Sequence, residues 1–243
     1  MRPGQAEKPG KKRDSKMIIK VVLLDLDGLL VDSEPLHGKA WQKAAEEIGT
    51  SISDEEIKKF TGVGNIVVAN FLKEKIETPL NAEDLIKKKV AKYMALLKNI
   101  KLMPGIKELL VKVKKNHLRM AVVSGAPRSE AIPSLQYPGI FSYFDVIISQ
   151  EDAKNPKPAP DAYLLAAKKL NVLPKECIAL EDSETGVASA RAAGVYCIAV
   201  PNEYSKNQNF SKANLKIESI QAILGENSIN LKTKNPMIGK LLG

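Results

Sequence analysis

The segment Ile18, Ile19, Lys20, Val21, Val22, Leu23, Leu24, Asp25, Leu26, Asp27, Gly28 decides the fold. Its first seven residues are apolar apart from Lys20, the pattern of a central parallel strand buried on both faces. Asp25 and Asp27 then fall where that strand ends. Gly28 allows a sharp turn, so both carboxylates can converge on one crevice instead of continuing along the sheet. In open α/β sheets that edge is where ligands bind. A short acidic stretch can also simply stop a strand or cap a helix, and the choice between the two readings depends on the rest of the chain.

Three further segments carry the argument. Arg119 to Val123 reads as a second apolar strand ending in Ser124, Gly125 and Ala126, with a helix expected from Arg128. A hydroxyl and free backbone N–H groups at such a turn suit a phosphate. Asn155, Pro156, Lys157, Pro158, Ala159, Pro160 and Asp161 form a proline-bounded loop that restricts the backbone around Lys157. Cys177 to Leu180 is a short apolar strand ending in Glu181, Asp182 and Ser183, and a helix follows toward Gly194. Adjacent acids at a strand end suit a hard cation. Phe144 to Ser149 and Val195 to Val200 read as further strands, with helices around Ile106 to Val113 and Tyr163 to Leu170. Alternating strands and helices predict an α/β, Rossmann-like, doubly wound parallel sheet.

In order, these residues resemble the four motifs of the haloacid dehalogenase (HAD) superfamily of phosphohydrolases: D-x-D-G, a strand-ending Ser or Thr, a Lys, and an acidic pair. The likeness spans roughly residues 17 to 224 and lies nearest the β-phosphoglucomutase-like and sugar- or nucleotide-phosphatase branch, through Lys157 to Asp161 and Glu181 to Gly186. The fourth motif departs from the commoner form, since Gly186 stands where a second Asp is usual.

The resemblance implies a Mg²⁺-dependent phosphatase acting through an aspartyl-phosphate. Asp25 would be the nucleophile and Asp27 the general acid and base, while Lys157 and Ser124 would stabilise the phosphoryl oxygens. Asp25, the Asp27 carbonyl and Asp182 would hold Mg²⁺, with Glu181 as the second nearby acid. Gly125 and Ala126 would contribute to substrate binding. The second Asp of the first motif disfavours halide displacement, which needs no proton donor.

Residues 32 to 102 read as an inserted all-helical domain similar to the family's C1 cap. Stripes run through Leu36, Ala40, Trp41, Ala44, Ala45 and Ile48, and through Ile86, Val90, Tyr93, Met94 and Leu97. Asp54 to Phe60 and Ile66 to Lys75 read as helices between them. His37 and Trp41 share a helical face near the first motif, at positions that the resemblance places close to substrate. As the chain's lone Trp and one of two histidines, they could equally be packing residues. Within Thr61, Gly62, Val63, Gly64 and Asn65, Asn65 stands where the mutase carries an Arg for a second phosphate. A neutral amide cannot replace a bidentate guanidinium, which favours a phosphatase over a mutase.

The domain plan is thus a core of residues 17–31 plus 103–224, a cap of 32–102, and tails at 1–16 and 225–243. At 243 residues, against about 150 per domain, a core plus a cap is natural. Residues 1–16 hold six Lys or Arg against two acids, about +4 of the net +9, and read as disordered. The C-terminal stretch reads as a polar tail.

A basic chain attracts nucleic acid, which keeps a binding module as a rival from another class. Aromatics are only 5%, however, and no recognition motif is present, so no specific nucleic acid is expected. Lys87 to Lys89 reads as a solvated helix face. A catalytically inactive HAD-like protein is a third reading, disfavoured by the complete motif set. Cys177 and Cys197 fall in apolar strands and give no disulfide framework. With no apolar leader or membrane-length run, a cytoplasmic protein is expected. It would act on a small phosphorylated metabolite, with a monomer favoured.

Overall fold

The computed structural model describes residues 18–60, 64–76, 79–224 and 236–242. Its centre is a six-stranded, all-parallel sheet of β1 (Val21–Leu24), β4 (Arg119–Val123), β5 (Val146–Ile148), β6 (Cys177–Glu181), β7 (Tyr196–Ala199) and β8 (Leu215–Lys216). The strand order is β5-β4-β1-β6-β7-β8, so the connections leave β1 first to one side and later to the other. β1 therefore lies at the topological switch point, where the edge of the sheet opens into a crevice.

Alternation along β1 explains the two-sided core. Val22 and Leu24 join one apolar cluster, whereas Val21 and Leu23 join the other. The first cluster takes α5 (Ile106–Lys115), α6 (Arg128–Gln136) and α9 (Ile220–Leu224); the second takes α7 (Asp161–Lys169) and α8 (Glu184–Ala192). The result is a three-layered doubly wound domain, as the alternating pattern predicts.

Between β2 (Val31–Asp32) and β3 (Lys101–Leu102) the described residues make four α-helices: α1 (Glu34–Glu47), α2 (Asp54–Lys59), α3 (Asn65–Lys75) and α4 (Ala82–Leu96). β2 and β3 pair antiparallel, Val31 with Leu102 and Asp32 with Lys101. The starts of α2 and α4 are fixed by side chains: the Ser53 hydroxyl accepts the Glu56 N–H in a capping box, and Asn81 accepts the Asp84 N–H. Trp41, Ala44, Ala45, Ile52, Val68, Leu72 and Leu85 give these helices a small core of their own. No helix among the described residues is long and apolar enough to cross a membrane.

Two expectations need correction. Lys89 is fully buried, not part of a solvated face, because position 89 of α4 points toward α6 while Lys87 and Lys88 stay outside. Within the supposed polar tail, Pro236–Leu242 forms helix α10 against α5. Its Met237, Ile238 and Leu241 are buried in the first core cluster, a spacing that puts all three on one helical face. Thr61 to Val63, residues 1–17 and residues 225–235 lie outside the described residues.

Candidate active site

The register of the sheet assembles the site. Leu24 pairs with Val122 on one side and with Leu180 on the other, so Asp25 emerges beside both the Ser124 turn and Glu181. The Asp25 N–H donates to the Leu180 carbonyl at 3.1 Å, which holds this first carboxylate in the sheet line. The chain then turns at Gly28, whose φ is +78°. A Cβ there would stand 2.4 Å from Asp182 Oδ2 and 2.6 Å from Asn202 Nδ2, so only glycine admits the acidic strand end so close.

Lys157 crosses from its proline-rich loop into the centre of the site. Its ammonium donates to Asp25 Oδ1 at 2.5 Å, to Glu181 Oε1 at 2.6 Å and to the Val123 carbonyl at 2.9 Å. Burial works against its charge, but Asp25 and Glu181 hold its pKa above the ordinary lysine value, so it stays a cation. Glu181 is fully buried and also receives the Tyr163 hydroxyl, while the Ser183 hydroxyl donates to its other oxygen at 3.3 Å. Gly186 makes room for that carboxylate, because a Cβ at 186 would lie 1.9 Å from Glu181 Oε2. This accounts for the departure in the fourth motif: no side chain fits there.

Asp25, Glu181 and Asp182 each offer an oxygen within 4.8 Å of the others. Burial, followed by the Glu181 carboxylate, pushes Asp25 up to about 8 despite Lys157. Burial and the charges of Asp25 and Glu181 likewise raise Asp182 well above the usual carboxylate range. Three buried acids with one lysine between them are a set of hard oxygen donors short of positive charge, and a divalent cation fits that deficit. Asn202 orients Asp182, donating to its Oδ2 at 2.9 Å and to the Gly28 carbonyl at 3.0 Å.

Asp27 faces a different environment. Burial raises its pKa, but His37 and the Ser33 hydroxyl outweigh that and hold it below the ordinary value. The Ser33 hydroxyl donates to Asp27 Oδ1 at 2.6 Å, and His37 Nε2 stands 3.9 Å from the same oxygen. His37 stacks flat on Tyr93, with ring centroids 4.0 Å apart, so helix α4 fixes its imidazole.

Asp25, Asp27, Asp182 and Lys157 line one crevice of about 730 Å³ between the sheet edge and the inserted helices. His37, Trp41, Asn65, Gly125 and Ala126 line it as well, whereas Ser124 and Glu181 sit behind its surface. The Ser124 Oγ accepts the Ala126 N–H at 2.9 Å and so shapes the turn. Tyr163, Asn202, Ser33 and Glu130 went unassigned in the sequence. Ser33 alone carried a local signal, six residues after Asp27; the others reach the site by long-range packing.

A family model for haloacid dehalogenase-like hydrolases matches residues 22–200. Over 179 residues the chain is 33% identical to a phosphorylated carbohydrates phosphatase of Thermotoga maritima, covering 73% of this chain and 82% of that one. The crystal structure of CbbY from Rhodobacter sphaeroides in complex with phosphate superposes with a TM-score of 0.76 at 28% identity, covering 88% of this chain and 100% of that one. A β-phosphoglucomutase of Clostridium difficile superposes with a TM-score of 0.72 at 29% identity, covering 91% and 100%. The paired aspartates at the switch point, the lysine between the acids and a family match across most of the chain agree: this protein belongs to the haloacid dehalogenase-like hydrolases.

Proposed function

We propose that the chain is a Mg²⁺-dependent phosphatase that hydrolyses a small phosphate monoester through an aspartyl-phosphate on Asp25. One observation carries this reading: Asp25, bound to Lys157 and beside Asp182, shares a 730 Å³ crevice with the separately held Asp27. An Asp25 oxygen attacks phosphorus in line, the bond from phosphorus to the alcohol oxygen breaks, and Asp27 gives that oxygen its proton. Water then attacks the aspartyl-phosphate, yields a proton to Asp27, and leaves phosphate and free Asp25. His37 and the Ser33 hydroxyl favour the base form of Asp27, and the charge of an arriving dianion favours the acid form.

Asp25, the Asp27 carbonyl and Asp182 would hold Mg²⁺, with Glu181 alongside; the ion would offset the charge of the carboxylates and phosphate. Lys157 stabilises phosphoryl charge, the Ser124 hydroxyl, which takes the Ala126 N–H, would give its own proton to a phosphoryl oxygen, and the helices of residues 34–96 exclude bulk water. His37, Trp41 and Asn65 face the leaving group.

The structural likeness to a β-phosphoglucomutase gives a mutase as the second reading. Among the described residues lining the crevice, Lys157 is the one lysine or arginine, and Asn65 offers an amide, so a second phosphate has no dedicated cation. Phosphate release from sugar, polyol and nucleoside monophosphates, with EDTA and Asp25→Asn controls, decides between them. Release dependent on metal and on Asp25 supports the phosphatase, whereas conversion of β-glucose 1-phosphate to glucose 6-phosphate with little free phosphate supports the mutase.

A further inference from the structure

Glu130 lines the crevice, and its carboxylate has unmet bonding capacity. It lies on α6, the helix after the Ser124 turn, and is 3% exposed. Its Oε1 is buried and has no hydrogen-bond partner among the described residues. Its Oε2 faces Lys89 Nζ at 3.8 Å, beyond hydrogen-bond length. The Lys89 ammonium is buried too, 4.8 Å from the centre of the Tyr93 ring, and likewise has no hydrogen-bond partner among the described residues. Buried polar groups are rarely left this way, since their lost hydration needs a replacement.

The chemistry of the missing partner follows from the group itself. A carboxylate beside an ammonium is an acceptor, so what it lacks is an O–H or N–H donor. On the opposing helices Ile57, Phe60, Ile86 and Val90 have none to give, and the donors there, His37, Trp41 and Asn65, make no hydrogen bond to Glu130 Oε1. Glu130 lines the same crevice as Asp27. Burial lowers the pKa of Lys89, while the nearby acids Glu130, Asp27 and Glu34 act to raise it. Lys89 is on α4 and Glu130 on α6, so the pair meets across the seam between the inserted helices and the sheet domain.

We propose that Glu130 selects polyhydroxylated leaving groups: it accepts a hydroxyl of the departing alcohol, so sugar and polyol phosphates are preferred over alkyl or aryl ones. The proposal rests on the phosphatase reading for its reaction, though not for its binding contact. Lys89 sets its charge beside the acceptor, and the apolar wall opposite takes the C–H face of the same molecule.

Two ester pairs that differ in hydroxyls test it: glycerol 3-phosphate against propyl phosphate, and glucitol 6-phosphate against hexyl phosphate. The ratio of kcat/KM within each pair is compared for the wild type, Glu130→Gln, and a Glu130→Leu/Lys89→Met double variant. The double variant removes both buried charges together and so guards against simple unfolding. In at least one pair, the wild-type preference for the hydroxylated ester should fall roughly tenfold to a hundredfold, the worth of a hydrogen bond to a charged group. A purely structural role would lower both members alike and leave the ratio unchanged, which overturns the proposal; so does the absence of any wild-type preference. Calorimetric binding of the same pairs to Asp25→Asn, with and without the Glu130 substitution, separates the two readings. No Asp25-dependent release from any ester, with a binding preference that still depends on Glu130, would sink the phosphatase and keep the hydroxyl contact.

Discussion

On the sheet side of the crevice a single ammonium, that of Lys157, serves Asp25, Glu181 and the Val123 carbonyl, and Tyr163 and Asn202 brace the neighbouring acids. On the helical side, Ile57, Phe60, Ile86 and Val90 present carbon, and polar groups come from Glu34, His37 and Asn65. Fixed charge is useful where phosphorus reacts, because donors already in place need no reorganisation as the transition state forms. Where an alcohol enters and leaves, carbon sets the shape, and the one charged contact proposed for it, Glu130, is carried by α6 of the sheet domain. The contrast is between a wall of fixed charge and a wall that is mostly carbon.

Substitutions on the two sides should therefore give different kinetic patterns. Asp25→Asn is expected to lower kcat roughly a thousandfold or more on every ester while leaving the far-UV spectrum unchanged. Retention of even a tenth of the wild-type rate would remove Asp25 as nucleophile. Lys157→Met should cost about a hundredfold in kcat, equally for all esters, since it acts on the shared phosphoryl end. A change in ester preference would instead place Lys157 on the leaving-group side.

Gly186→Ala would force Glu181 off its seat, with an expected loss of about 2 kcal/mol in urea melts and weaker retention of Mg²⁺. Unchanged stability and metal affinity would show that Glu181 has another place to go. A smaller effect concerns a carboxylate outside the crevice. Asp152 loses by burial but gains more from Ser149, Arg128 and Lys169, and is held down at about 2. A depressed acid stabilises the fold above its ordinary pKa of 3.8 and loses that contribution as pH falls toward 2. Asp152→Asn should flatten this acid limb by up to about 2 kcal/mol, and an unchanged pH profile of Tm would refute the assignment. Smallest of all, Ile86→Ala should shift KM by about threefold and reorder the preferred esters with kcat nearly intact, the behaviour of uniform binding. A large fall in kcat would erase the division between the two sides.

The chemical wall was largely legible in the sequence, because its residues sit at strand ends that apolar runs mark. β1 and β4 begin and end within a few residues of their apolar patterns, and pairing of Leu24 with both Val122 and Leu180 follows once the strands are known. What escaped was whatever depends on packing between distant segments. Tyr163 reaches Glu181 from 18 positions away and Asn202 reaches Gly28 from 174, and neither carries a local pattern. Lys89 was hidden within a run of three lysines, where a period of 3.6 turns only one of them inward. Helix α10 was missed because a seven-residue helix with three buried apolar positions barely rises above a polar background.

The two-rung ladder of β2 and β3 returns the chain to within one strand spacing of the place where it departs, since Asp32 pairs with Lys101. Everything between those residues is a loop in the topological sense, however much it folds. A gene could therefore lengthen, trim or trade that cassette by recombination at two adjacent points, and the strand bearing Asp25 would keep its neighbours. The carbon wall of the crevice can thus be redrafted while the strand ends on the other side keep their arrangement.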